Sequence, residues 1–211
     1  MKDYKTYLFD IDGTLLDTME LIYQTFHYSC NKYAGLDLDR ETVWSAVGIP
    51  LDTQLEMYLG DLGDDLKKVF NIHEDYQRSI YQEFLKIFPG VRETLGALFA
   101  KGKGLGVVTS RTMPSLMRYL SHFDIDQYFS VFITPECSDK HKPEPDPVLL
   151  ALEKFGTRPE ETLFLGDAEV DILSGSRAGV DTAFAKWGPN RLEDLKIPPT
   201  WDLDSIKELL S

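Results

Sequence analysis

Thr6-Tyr7-Leu8-Phe9-Asp10-Ile11-Asp12-Gly13-Thr14-Leu15 decides the fold, because an apolar run breaks off into two aspartates at i and i+2. Unbroken apolarity, without polar alternation, marks a strand covered on both faces. While a strand persists, side chains two apart face the same way, so this reading puts Asp10 and Asp12 on one side, about 7 Å apart. Like charges at the end of a low-dielectric sheet repel, and such a pair needs a cation or a shared proton. Gly13 lets the backbone leave the strand, and Thr14 is placed to cap the next element.

Outward from this stretch, four more short apolar runs read as strands: Leu105 to Thr109, Val131 to Thr134, Thr162 to Gly166 and Thr182 to Ala185. Helical patterns lie between them, which predicts an α/β fold, a Rossmann-like parallel sheet sandwiched by helices. Between the first and second runs the spacing is far longer than the roughly thirty residues of an ordinary crossover unit. Leu21, Ile22, Thr25, Phe26, Ser29 and Tyr33 recur there at helical spacing, as do Leu66, Val69, Tyr76, Ile80, Tyr81, Phe84 and Leu85. The expected organisation is therefore a core of residues 1–15 and 89–211, with an α-helical cap of 16–88 inserted after the first strand. Pro89-Gly90 marks the return, followed by an amphipathic helix through Val91, Leu95, Leu98 and Phe99. Hinges on which the cap closes are expected near Leu16 to Thr18 and Phe88 to Gly90.

Composition excludes several classes of function. With 22 Lys plus Arg against 35 Asp plus Glu, the net charge is -13, a field that opposes binding to a phosphate backbone. No apolar run approaches the roughly 20 residues of a membrane span, and residues 1–9 lack the pattern of a secretory signal, so a cytoplasmic protein is expected. Cys30 and Cys137 have neither zinc nor disulfide spacing and read as buried small hydrophobes.

Three further segments carry chemistry. Val107-Val108-Thr109-Ser110-Arg111 ends a strand in two hydroxyls and a guanidinium, where hydroxyls and loop amides can bind a phosphoryl oxygen; a helix cap before Pro114 is the simpler use. Lys142, between His141 and Pro143-Glu144-Pro145-Asp146-Pro147, sits in a stiff loop suited to meeting phosphate or carboxylates, with Asp146 expected as helix N-cap and Pro147 as the first helical residue. Gly166-Asp167-Ala168-Glu169-Val170-Asp171 places acids in a loop and first helical turn. Each segment follows a strand, or the connection behind one, so all are expected at the carboxyl edge of one sheet, where open α/β folds bind ligands. Several carboxylates without His or Cys call for a hard cation, and Mg²⁺ suits a few carboxylates, waters and a substrate phosphate.

Asp10-x-Asp12-Gly13-Thr14, Thr109, Lys142-Pro143 and Gly166-Asp167-x-x-x-Asp171 together resemble the four motifs of the haloacid dehalogenase superfamily, in its order and over nearly the whole chain. Leu15-Leu16-Asp17-Thr18 and Val47-Gly48-Ile49-Pro50-Leu51 are similar to its phosphoglycolate phosphatase and pyrophosphatase branches, with a small helical cap. The resemblance implies Mg²⁺-dependent hydrolysis of a small phosphomonoester, 2-phosphoglycolate or another small phosphate, through an aspartyl-phosphate on Asp10. It implies that Asp12 serves as general acid and then base, that Thr109 and Ser110 bind the phosphoryl group, and that Lys142 steadies it. Asp10, the Asp12 carbonyl and Asp167 would hold the metal, supported by Asp171. Pyrophosphate hydrolysis and sugar phosphomutase activity are the alternatives, although such mutases carry a histidine on the first cap helix where Ile22 stands here. The implied partner is a small phosphorylated metabolite, with no nucleic acid and no membrane, and the chain a monomer or homodimer.

Overall fold

A computed structural model describes residues 1–211, which divide into two compact units, Met1–Leu16 with Ile87–Ser211, and Asp17–Lys86. The first unit is built on β1 (Thr6–Phe9), β4 (Gly104–Val108), β5 (Val131–Ile133), β6 (Thr162–Gly166), β7 (Asp181–Ala185) and β8 (Trp201–Leu203). They form one parallel sheet in the order β5-β4-β1-β6-β7-β8. This is a Rossmann-like arrangement flanked by helices α5 (Val91–Ala100), α6 (Met113–His122), α7 (Asp146–Phe155) and α8 (Glu169–Arg177). Five of the six strands coincide with the apolar runs of the sequence to within a residue or so at either end. The sixth, β8, is an addition: Trp201-Asp202-Leu203 is short, at the sheet edge, and alternates in exposure, so it carries no continuous apolar signal.

The core of this unit joins Leu8, Val108, Ile133 and Phe164 from the sheet to Val148, Ala151 and Leu152 of α7. Each fully buried Leu, Val or Phe side chain there contributes roughly 1.5–3 kcal/mol of hydrophobic stabilisation. Because β1 lies between β4 and β6, the loops that leave these three strands emerge side by side at one sheet edge. No helix is long and apolar enough to cross a membrane.

The unit Asp17–Lys86 carries α1 (Met19–Ala34), α2 (Arg40–Trp44), α3 (Leu51–Leu59) and α4 (Leu66–Phe84). Its own core contains Ile22, Phe26, Cys30, Val43, Leu55 and Val69. The face that α4 buries includes His73 and Gln77 beside Val69, two polar residues outside the expected apolar stripe. The His73 ring packs edge-on against Phe26 with centroids 4.5 Å apart, and its Nδ1 lies 3.4 Å from Ser29 Oγ, which gives the buried ring a polar partner. Short strands β2 (Leu16–Asp17) and β3 (Lys86–Ile87) pair where the chain passes from one unit to the other. Cys30 is buried as expected, but Cys137 is exposed, its Sγ near Thr134 Oγ1 and the Phe132 carbonyl in a one-turn helical segment that the sheet does not cover.

Candidate active site

β1 ends at Phe9, and the backbone turns soon after: the Ile11 carbonyl accepts from the N–H groups of Thr14, Leu15 and Leu16. Asp10 still holds to the sheet through its N–H to the Leu165 carbonyl at 2.9 Å, and the turn follows at Ile11 to Leu16. Asp10 meets Lys142 and Asp12 meets Arg111, so the two neighbouring carboxylates take different basic partners. Gly13, at φ +80°, is needed here twice over, since a Cβ would also lie 2.4 Å from Asp167 Oδ2. Thr14 caps no helix; α1 begins only at Met19, and the Thr14 hydroxyl instead donates to Asp167 Oδ1 at 2.9 Å.

Thr109 follows β4 and stays tied to the sheet through its N–H to the Ile133 carbonyl at 3.0 Å. Buried Thr109, half-buried Ser110, His141 and Lys142 line one small recess. Neither hydroxyl residue caps α6, whose N-cap position is Thr112. The loop before α7 delivers Lys142, only 7% exposed, with Nζ 2.8 Å from Asp10 Oδ1 and 2.7 Å from Asp171 Oδ1. The start of α7 differs by one position from expectation, because Pro145 takes the N-cap place and Asp146 is already helical.

Beyond β6, Asp167 leaves the strand directly and Asp171 sits in the first turn of α8, where its Oδ2 also accepts from the Ala168 N–H at 3.1 Å. Oxygens of Asp10, Asp167 and Asp171 come within 4.8 Å of one another, and all three residues are buried. The Asp12 carboxylate is not one of this group.

Electrostatics follow from that burial. Desolvation pushes the Asp10 carboxyl up to about 7; the Lys142 ammonium opposes this, while the charges of Asp171 and Asp12 add to it. Burial likewise holds Asp167 well above the usual carboxylate range, with Asp171 and Asp10 reinforcing it and the Thr14 and Asn190 donors opposing. For Lys142, burial works against the ammonium, but the two aspartates beside it outweigh that and raise its pKa. Lys142 is thus a fixed positive charge, and the three carboxylates want another. Their donors are all hard oxygens, without His or Cys, which fits Mg²⁺.

One contributor escapes the sequence reading. The loop Trp187-Gly188-Pro189-Asn190 after β7 crosses the aspartate loops: Asn190 Nδ2 donates to Asp167 Oδ2 at 3.0 Å, and Trp187 Nε1 donates to the Thr14 carbonyl at 2.8 Å. Each oxygen of Asp167 thereby receives a neutral donor, Thr14 on one and Asn190 on the other. The only signal in the sequence is the turn-forming trio Gly188-Pro189-Asn190 shortly behind an apolar strand.

Comparison with known proteins identifies the family. The model of the haloacid dehalogenase-like hydrolases matches residues 7–185. A PpaX protein of Caldanaerobacter subterraneus is 37% identical over 96% of this chain and 91% of its own. The pyrophosphatase PpaX of Oceanobacillus iheyensis is 32% identical over 98% of this chain and 95% of its own. A crystal structure described as a predicted phosphoglycolate phosphatase from Haemophilus somnus superposes with a TM-score of 0.86 at 26% identity, covering 100% of this chain and 98% of that one.

Proposed function

Since the chain belongs to the haloacid dehalogenase-like hydrolases, we propose that it is a Mg²⁺-dependent phosphatase acting on a small phosphomonoester, 2-phosphoglycolate first among them. The observation that carries this reading is Lys142 Nζ bridging Asp10 and Asp171 at 2.8 and 2.7 Å, in the same buried cluster as Asp167.

Asp10 attacks phosphorus with a carboxylate oxygen while the bond to the leaving oxygen breaks, which leaves the phosphoryl group on Asp10. Asp12 gives a proton to the leaving alcohol, then takes one from the water that releases phosphate. Thr109 and the Ser110 amide hold the transferring oxygens, and Lys142 keeps Asp10 aligned. Asp10, the Asp12 carbonyl and Asp167, with Asp171 behind them, would hold Mg²⁺, which supplies positive charge for the carboxylates and the transferring group. Residues 17–86 serve in this reading as the cap that selects the leaving group. The name borne by the Oceanobacillus iheyensis relative makes pyrophosphate the second substrate to assay, while Ile22, where phosphomutases of this kind carry histidine, speaks against a mutase.

Phosphate release is to be measured from a panel of phosphorylated metabolites and pyrophosphate, with and without Mg²⁺. Activity should depend on the cation, and Asp10→Asn should lower it by at least about a thousandfold. A fully active Asp10→Asn variant would discard the mechanism.

A further inference from the structure

Asp12 stands apart from the carboxylate trio although a single residue separates it from Asp10. Its Oδ1 accepts from Arg111 Nη2 at 2.5 Å and its Oδ2 from Arg111 Nε at 3.1 Å, the two-pronged grip of a planar guanidinium on a carboxylate. Arg111 is itself braced. Its Nη1 donates to Ser115 Oγ at 2.8 Å, and its guanidinium carbon lies 4.4 Å from the centre of the Tyr119 ring, one turn further along α6. The two side chains are only 8% and 14% exposed, so this is a built-in pair rather than a mobile surface one. The Arg111 N–H also donates to Thr109 Oγ1 at 3.3 Å, which leaves the Thr109 hydroxyl proton free for another acceptor.

Charge counting gives the pair a purpose. Asp10, Asp167 and Asp171 with Lys142 amount, when ionised, to three negative charges against one positive, and a single divalent cation balances the remainder. A fourth free carboxylate among them would leave an uncompensated buried charge or claim a position on the cation. Arg111 cancels Asp12 on the spot.

We propose that Arg111 is a positioning residue that acts through Asp12, holding this carboxylate off the cation-binding trio while the site waits for substrate and releasing one of its oxygens when Asp12 takes part in proton transfer. The inference rests on the phosphatase reading above and assigns Arg111 no contact with substrate. It is tested with Arg111→Gln, Arg111→Lys, Asp12→Asn and the Arg111→Gln/Asp12→Asn pair, assayed on p-nitrophenyl phosphate and titrated calorimetrically with Mn²⁺. Arg111→Gln should lower kcat about 10- to 100-fold while KM stays within about twofold, and Arg111→Lys should recover part of the loss. In the Asp12→Asn background, Arg111→Gln should cost nothing more, and Mn²⁺ affinity should not fall in either Arg111 variant. Independent, multiplying losses would overturn the proposal, as would an effect on KM alone, lost Mn²⁺ binding, or an Arg111→Gln enzyme as fast as the parent. An inactive parent protein, by contrast, would sink the phosphatase reading and not this assignment alone.

Discussion

At Gly188 there is no room for a side chain: a Cβ would lie 2.6 Å from Asp167 Cβ and 2.7 Å from the Gly13 carbonyl oxygen. Gly188→Ala must therefore push the strap off Asp167 or displace the aspartate itself. It should cost about 1–3 kcal/mol in urea unfolding and weaken Mn²⁺ binding; parental values in both measurements would show that the strap yields freely. The same crowding explains which residues can be read in advance. Asp10 and Asp167 announce themselves as charges directly behind apolar strands, Asp171 as an acid one turn further on, and Lys142 as a cation in a proline-stiffened loop. Arg111 reads in the sequence only as a guanidinium behind a strand, since its partner depends on where the chain turns after Phe9. Asn190 is an unremarkable loop amide until tertiary structure sets it against Asp167.

Within the six-stranded sheet, β8 is the strand that the apolar pattern does not reveal, and Tyr4 is what ties it back to the start of the chain. The buried Tyr4 hydroxyl donates to Asp181 Oδ2 at 2.8 Å, at the head of β7, and accepts from Trp201 Nε1 at 2.8 Å, at the head of β8. Burial pushes the phenol from 10 up to about 12; the Trp201 donor opposes this, and the Asp181 carboxylate adds to it. A raised folded-state pKa means that this contribution is complete below pH 10 and is lost as pH climbs towards about 12. Tyr4→Phe should lose about 1 kcal/mol at pH 8 and show a shallower decline across the alkaline window when unfolding is followed at stepped pH. Curves that stay parallel to the parent would remove Tyr4 from this role. The other five strands are legible because both their faces are covered, which forces continuous apolarity, whereas an edge strand of three residues has no such constraint. On α4, buried His73 and Gln77 are invisible to a hydrophobic pattern for the opposite reason, being polar and enclosed.

For the molecule as a whole, a net charge of -13 means that every bound cation relieves repulsion as well as filling a site. A ligand that binds only the folded chain stabilises it by mass action, so Mg²⁺ at a hundred times its Kd should add about 2.7 kcal/mol. Thermal unfolding at rising Mg²⁺ should show the shift, EDTA should reverse it, and Asp167→Asn should show only what equal ionic strength of NaCl produces. A parent protein that responds identically to both salts would leave the three aspartates without a specific ion. The sheet order has a further consequence, for biosynthesis. Thr6 pairs with Gly104 on one side and with Thr162 on the other, so the central strand is made early yet finds its neighbours late. While the ribosome extends the chain between those points, Thr6-Tyr7-Leu8-Phe9 is an apolar segment with both its edges unpaired. Asp10 is thus translated among the first residues and becomes competent among the last.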